Sequence, residues 1–366
     1  MKVICARKDL YEGVQTAGKA VSPRSSLPIL GHLLITAEEG KLRIAAFDLE
    51  LGMECVVEAK VQEAGSMTVP SRVLTEVLAA LPETDVQMSV DESNTVSLTC
   101  GASDYSILGL PPEEFPMLPE VQGEVRLSIE RGVLRDAIRK TLLAVSTDES
   151  RPILTGMLLQ VNEDGITFVS TDTHRLCVQH CQLVESEGTV NAVIPGRAMQ
   201  ELFKVVPDGD GTVEASISAT QIKFIVDDTI VVSRLIEGQF PNYQKVIPAE
   251  HDKKLIIPTD QLLQSVKRAE IVARENSNRT VVRTENGKMV VTAESGSIGR
   301  AHEEVEIVKE GDDVKMAFNA RYLIDILNVV ETEAVEMELT GNVSPALIKP
   351  QGQEDYLYVL MPMQVG

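Results

Sequence analysis

The residues best suited to covalent chemistry lie in one stretch, Ser170-Thr171-Asp172-Thr173-His174-Arg175-Leu176, followed by Cys177. A carboxylate, an imidazole and a thiol this close together could form an activated nucleophile. The segment reads as a strand, however, and a second copy of its pattern carries Asp48 at the aspartate position with Glu50 where His174 would be. An aspartate that recurs without its histidine reads as a turn or hydrogen-bonding residue rather than a catalytic one. Metal chemistry fares no better. Cys177 and Cys181 flank His180, but strand alternation turns His180 away from both cysteines. His302-Glu303-Glu304-Val305-Glu306 begins like a zinc-protease helix, yet Glu306 stands where the second histidine is needed. Asp208-Gly209-Asp210-Gly211 begins like a calcium loop, but Thr212 takes the third ligand position and Ala219 the closing one. Neither a glycine-rich phosphate loop nor a GxSxG elbow is found. The chain is read as having no catalytic residues, no metal and no cofactor.

The elements that would carry these residues repeat three times. Val69-Pro70-Ser71-Arg72, Ile194-Pro195-Gly196-Arg197 and Phe318-Asn319-Ala320-Arg321 each open an apolar-periodic segment, and their arginines are 125 and 124 residues apart. Leu27-Pro28-Ile29-Leu30 matches Arg151-Pro152-Ile153-Leu154; both lead through an acidic-Gly turn to a strand bearing Asp48 or Asp172. Leu10 and Val14 recur as Leu134 and Ile138, then as Leu262 and Val266, at the spacing of a helix. Thr259-Asp260 is the expected cap of the last copy. Helices are expected over 7–20, 71–81, 130–145, 197–206, 259–274 and 320–330. The rest reads as short, β-branched, hairpin-linked strands. Each unit therefore combines two helices with many strands, an α+β arrangement, and the expected boundaries are 1–124, 125–252 and 253–366.

Net charge is −21, which by itself disfavours a nucleic-acid partner. Its distribution is uneven: the six expected helices hold 14 basic and 9 acidic residues. If they face one way, that face is mildly basic while the strand side is acidic, suited to weak contact with phosphate. Five scattered cysteines read as reduced thiols. With no secretory leader and no apolar run long enough for a membrane, the expected location is cytoplasmic.

Several stretches resemble the bacterial DNA sliding clamps, the beta subunits of DNA polymerase III. They are Leu27-Pro28-Ile29-Leu30, Pro152-Ile153-Leu154-Thr155-Gly156, Ser170 to Leu176, Glu237-Gly238-Gln239-Phe240-Pro241-Asn242-Tyr243, Phe318 to Leu323, and Tyr358-Val359-Leu360-Met361-Pro362-Met363. They occur in the family's order along the whole chain. The resemblance implies three tandem clamp domains, with two chains closing head-to-tail into a ring around double-stranded DNA, helices lining the hole. Such a homodimer is a polymerase processivity factor without sequence specificity, loaded by a clamp loader. The residues expected to face DNA are Arg24, Arg72, Arg135, Arg139, Arg197, Lys267 and Arg268. Tyr105 and Ile107 are expected to meet Ile271 and Val272 across the subunit boundary. The resemblance also implies a cleft for short linear motifs of the Gln-Leu/Phe type, carried by replicative and repair polymerases. Its residues are Leu154, Thr171, Thr173, His174, Arg175, Leu176, Pro241, Lys245, Val246, Val359, Leu360, Met361, Pro362 and Met363.

Two other readings stay open at this point. One is an acidic three-domain module of the same fold that binds proteins without encircling DNA. The other is a hydrolase built on Asp172 and His174.

Overall fold

The computed structural model describes residues 1–22 and 27–364. Arg24 is therefore outside the described residues, as are Val365 and Gly366. The order strand, helix, five strands, helix, three strands occurs three times. In the first, β1 (Lys2–Ala6) feeds α1 (Arg7–Gly18). Then come β2 (His32–Glu38), β3 (Lys41–Phe47), β4 (Leu51–Glu58), β5 (Lys60–Glu63) and β6 (Gly65–Pro70). α2 (Ser71–Ala80) leads to β7 (Asp85–Val90), β8 (Thr95–Cys100) and β9 (Ser103–Leu108). The second has β10 (Val125–Glu130), α3 (Arg131–Leu142), β11 (Gly156–Asn162), β12 (Gly165–Thr171), β13 (Arg175–Cys181), β14 (Glu185–Glu187) and β15 (Val190–Pro195). It ends with α4 (Gly196–Val205), β16 (Thr212–Ile217), β17 (Gln221–Val226) and β18 (Thr229–Arg234). The third has β19 (Lys253–Pro258), α5 (Thr259–Ala273), β20 (Arg279–Glu285), β21 (Lys288–Ser295), β22 (Gly299–Glu306), β23 (Val308–Glu310) and β24 (Lys315–Asn319). It ends with α6 (Ala320–Val329), β25 (Ala334–Leu339), β26 (Ala346–Pro350) and β27 (Tyr356–Leu360).

The strands form because buried and open positions alternate: β17 reads half-open, buried, half-open, buried along its length, as does β2. The helices form on the expected stripes, with Leu10, Val14, Leu134, Ile138, Leu262 and Val266 all buried. α1 lies close on β3 and β4. A Cβ on Gly13 would come 2.7 Å from a Val57 methyl and 3.0 Å from Ile44, so glycine is needed for that approach. The expected cap at Thr259-Asp260 does not form. Pro258 takes the cap position without a side-chain bond, and the Thr259 hydroxyl instead donates to the Thr332 carbonyl at 2.8 Å. A preceding strand that runs straight into the helix leaves the threonine inside it rather than before it.

The chain divides into two compact units. One holds residues 1–132, 183–188 and 197–235; the other holds 133–182, 189–196 and 236–366. In the first unit a nine-stranded antiparallel sheet runs β14-β10-β16-β17-β18-β4-β3-β2-β6, and a five-stranded sheet runs β5-β1-β7-β8-β9. In the second unit a nine-stranded sheet runs β15-β11-β12-β13-β27-β26-β25-β19-β23, and a four-stranded sheet runs β22-β21-β20-β24. Each nine-stranded sheet is a seam between successive repeats, made where β18 pairs with β4 and where β27 pairs with β13. The middle repeat contributes strands to both seams, so its strands are shared between the two units. Ladder hydrogen bonds and side-chain packing across a seam tie those strands more closely to the neighbouring repeat than sequence order suggests.

Candidate functional site

The stretch singled out for chemistry builds a turn. The Asp172 carboxylate accepts the backbone N–H groups of His174 and Arg175 at 2.9 and 3.0 Å. Asp48 does the same for Glu50 and Leu51 at 3.1 and 2.8 Å. The following residue adopts a left-handed conformation in both copies, φ 77° at Thr173 and 78° at Leu49. For a β-branched threonine this costs about 1–3 kcal/mol, sustained because the carboxylate holds both flanking amides. The nucleophile geometry is absent from this arrangement. Asp172 is spent on the backbone and on Arg175, and burial pushes the Cys177 thiol up to about 12, leaving it protonated. Among the described residues no three His, Cys, Asp or Glu side chains gather as a metal site.

The turn instead walls a cavity. Leu154 arrives at the end of a short 3-10 turn (Pro152–Thr155), Leu176 from β13, Val359 from β27, and Pro241 and Val246 from the segment that follows β18. With Thr171, Thr173, Arg175, Asn242, Tyr243 and Met361 they enclose about 210 Å³. Its floor is a buried apolar cluster containing Leu154, Leu176, Phe240 and Val359. Nine of the fourteen residues expected in a cleft thus line it. Asn242 and Tyr243, which belong to the Glu237–Tyr243 motif but not to the expected cleft set, line it as well. An aromatic residue beside a proline in an otherwise polar loop was the available signal.

Arg175 fixes the polar rim. Its guanidinium donates to Asp172 at 2.9 Å and Asp325 at 2.5 Å and stands 4.3 Å from the centre of the Tyr322 ring. Burial opposes its charge, but Tyr358, Asp325 and Asp172 outweigh that, so its pKa is raised and the cation is permanent. The same burial pushes the Tyr322 phenol up, helped by Asp172.

The other five expected cleft residues sit elsewhere. His174 stacks on Tyr322 with ring centres 6.4 Å apart, and its carbonyl accepts the Met361 N–H at 2.9 Å. Lys245 is exposed on the 3-10 turn Tyr243–Val246. Leu360 is fully buried in β27 opposite Arg175 and belongs to the core rather than the cavity. Pro362 follows Met361, and Met363 bridges to Ala317 at the edge of the four-stranded sheet. The segment Met361–Met363 is therefore held at both of its ends.

The expected DNA-facing cations are largely engaged with carboxylates. Arg72 pairs with Glu76 at 2.8 Å, Arg139 with Asp136 and Glu331 at 2.7 and 2.6 Å, Arg197 with Asp48, and Arg268 with Glu303. Lys267 reaches Asn328 at 3.4 Å, and Arg135 lies on α3 with Arg139. At the expected interface, Tyr105 and Ile271 are exposed, while Val272 is partly buried against its own core. Ile107 turns inward and is 7% exposed, the one buried position of β9. The most exposed apolar residue of that strand is Leu108.

Comparison with known proteins gives one answer along the whole chain. Family models for the N-terminal, central and C-terminal domains of the DNA polymerase III beta subunit match residues 1–119, 128–242 and 244–364. The beta sliding clamp of Staphylococcus aureus is 32% identical over 357 residues, covering 94% of each chain. The DNA polymerase sliding clamp of Bacillus subtilis superposes over all of both chains with a TM-score of 0.96 at 28% identity. The DNA polymerase III subunit beta of Pseudomonas aeruginosa does so with a TM-score of 0.93 at 29% identity. With three matching domain models in order and a threefold element repeat, this chain belongs to the DNA polymerase III beta subunit family, the sliding clamps.

Proposed function

We propose that the protein is a non-catalytic processivity factor: two copies close into a ring around duplex DNA and tether polymerases through the cleft. The proposed domains are 1–124, 125–252 and 253–366, and the proposed location is the cytoplasm, in keeping with the absence of any helix long and apolar enough to cross a membrane among the described residues.

One observation carries the ring. The ninth strand of a repeat pairs with the fourth strand of the repeat before it, as β18 does with β4 and β27 with β13. The register is the same at both seams: Val232 stands opposite Gly52, and Val359 opposite Leu176. The rule leaves two strands over, β9 at the end of the five-stranded sheet and β22 at the end of the four-stranded one. Joined between copies they make a third nine-stranded sheet, and two such joins close a two-chain ring with no open edge there. Carrying the register over sets Ser106 opposite Arg300, Asp104 opposite His302, and Leu108 opposite Ile298. Leu108 and Ile298 are both exposed, at 75% and 54%, and opposing strands would cover them together. Tyr105 and Ile271 flank the same join.

Encirclement holds DNA by topology, so phosphate contacts can be few. Helix cations already shared with carboxylates suit a surface that slides. An apolar cleft with a methionine wall and a fixed polar rim suits short linear peptides with leucine and phenylalanine anchors. Polymerases and a clamp loader carrying such motifs would compete for it. The test is retention: the protein, once loaded, should stay on nicked circular DNA and run off when the circle is cut. Equal retention on both would refute encirclement, and a monomer by gel filtration would favour the protein-binding module that does not encircle DNA.

A further inference from the structure

The cleft does not end at Tyr243. Across the Pro241–Tyr243 segment lies a second cavity of about 360 Å³, floored by Leu158, Val193 and Phe240. All three belong to the apolar cluster that floors the cleft. Beyond it a third, polar cavity of about 490 Å³ shares Gln160, Asn191, Tyr243 and Gln244 with the second. The three adjoin through these shared residues, and their lining passes from apolar to polar within the second unit.

Its walls are ordered by a chain of uncharged groups. The Tyr243 hydroxyl donates to Gln160 at 2.7 Å, and the Gln160 amide donates to Asn191 at 2.9 Å. Gln239, Asn242 and Gln244 add further carboxamides. No residue lining either outer cavity carries a formal charge, in a chain where 24% of residues do. Along one side runs β15, the edge strand of its sheet, where the Val193 carbonyl already accepts an N–H from the extended segment at Ile236, at 2.8 Å. Carboxamides offer both donors and acceptors, so such a wall matches peptide backbone and small polar side chains and gives a charged side chain no counter-ion.

We propose that a peptide anchored in the cleft continues past Tyr243 as an extended segment lying over Gln160 and Asn191, and that this groove selects polar, uncharged residues flanking the apolar anchors. The proposal rests on the peptide-binding reading of the cleft. Continuity of the floor with the cleft identifies the occupant as the same peptide rather than a second ligand.

Fluorescence polarisation with the full-length protein tests it, using a labelled Gln-Leu-x-Leu-Phe peptide and versions extended by Ser-Asn-Gln-Ser at either end. One extension, on the side that faces Tyr243, should tighten binding about three- to tenfold, the effect of one or two added hydrogen bonds. The same extension written with Asp or Lys should give no gain. Asn191→Trp, at an exposed position, should fill the groove and remove the gain while leaving the short peptide unaffected. Failure of the short peptide to bind would overturn the cleft reading and this one with it. Binding of the short peptide with no gain from either extension would overturn this inference alone, as would a gain that persists in Asn191→Trp.

Discussion

Truncating Leu108 to alanine tests the ring at its most exposed apolar contact. The side chain stands 75% exposed on the free edge of β9, and the proposed join would set it against Ile298, itself 54% exposed. Removing its three terminal carbons forfeits roughly 2 kcal/mol if the contact is buried between copies, at about 0.8 kcal/mol for each buried methylene-sized group. Two identical interfaces close the ring, so the change acts twice, for roughly 4 kcal/mol, or about a thousandfold in the dimer dissociation constant. Within a monomer the same change should be almost silent, because an exposed position away from the core contributes about 0.5 kcal/mol or less. Sedimentation velocity across a concentration series reads the dimer constant, and thermal unfolding reads the fold. Met117→Ala is the control: it is 82% exposed but lies on neither free edge. A dimer constant for Leu108→Ala within threefold of the parent protein, or an equal loss in Met117→Ala, would refute the pairing of β9 with β22.

Three further outcomes are expected. Deleting 361–366 should abolish binding of the labelled peptide with the fold retained. Deleting 359–366 should instead unfold the second unit, because Val359 and Leu360 are buried and pair with β13 and together contribute several kcal/mol, roughly 1.5–3 for each side chain; equal melting of the two truncations would contradict this. Arg175→Leu should destabilise the second unit by about 3 kcal/mol, as it strands the Asp172 and Asp325 carboxylates, whereas His174→Ala, which loses a ring stack, should cost under about 1 kcal/mol; chemical denaturation ranks them. Burial pushes the thiols of Cys5, Cys55, Cys177 and Cys181 up to about 12. A raised acid favours its neutral form in the fold, so this stability is complete below the unfolded value near 9 and is lost as pH rises, by about 1.4 kcal/mol per pH unit for each thiol. Cys177→Ala should flatten the fall between pH 9 and 10.5 by that single-thiol amount, and an unchanged slope would count against a buried neutral Cys177.

Much of this was legible in the residues themselves. Threefold recurrence of Arg72, Arg197 and Arg321 and of the Leu-x-x-x-Val helix stripes located all six helices to within a few residues, because helix burial follows a local period that sequence displays directly. Recurrence of Asp48 and Asp172 without the histidine identified a turn residue, since two short hydrogen bonds to the next amides need only neighbours in the chain. The family resemblance supplied a set of expected cleft residues, nine of which meet around one cavity.

Other properties were decided only when distant strands met. Leu360 and Met361 are neighbours in sequence, yet one is core and the other lines the cavity, because β27 ends against β13 between them. Ile107 and Leu108 exchange roles in the same way: which face of β9 is covered depends on the elements packed beneath it. The sharing of the middle repeat between two units, and the two strands left without partners, follow from how ninth and fourth strands pair across successive repeats. Local composition determined which elements exist, since helix and strand periods are set by backbone geometry within a few residues. Pairing across more than a hundred residues, with one side chain per position facing in or out, decided which residues were left to form a site.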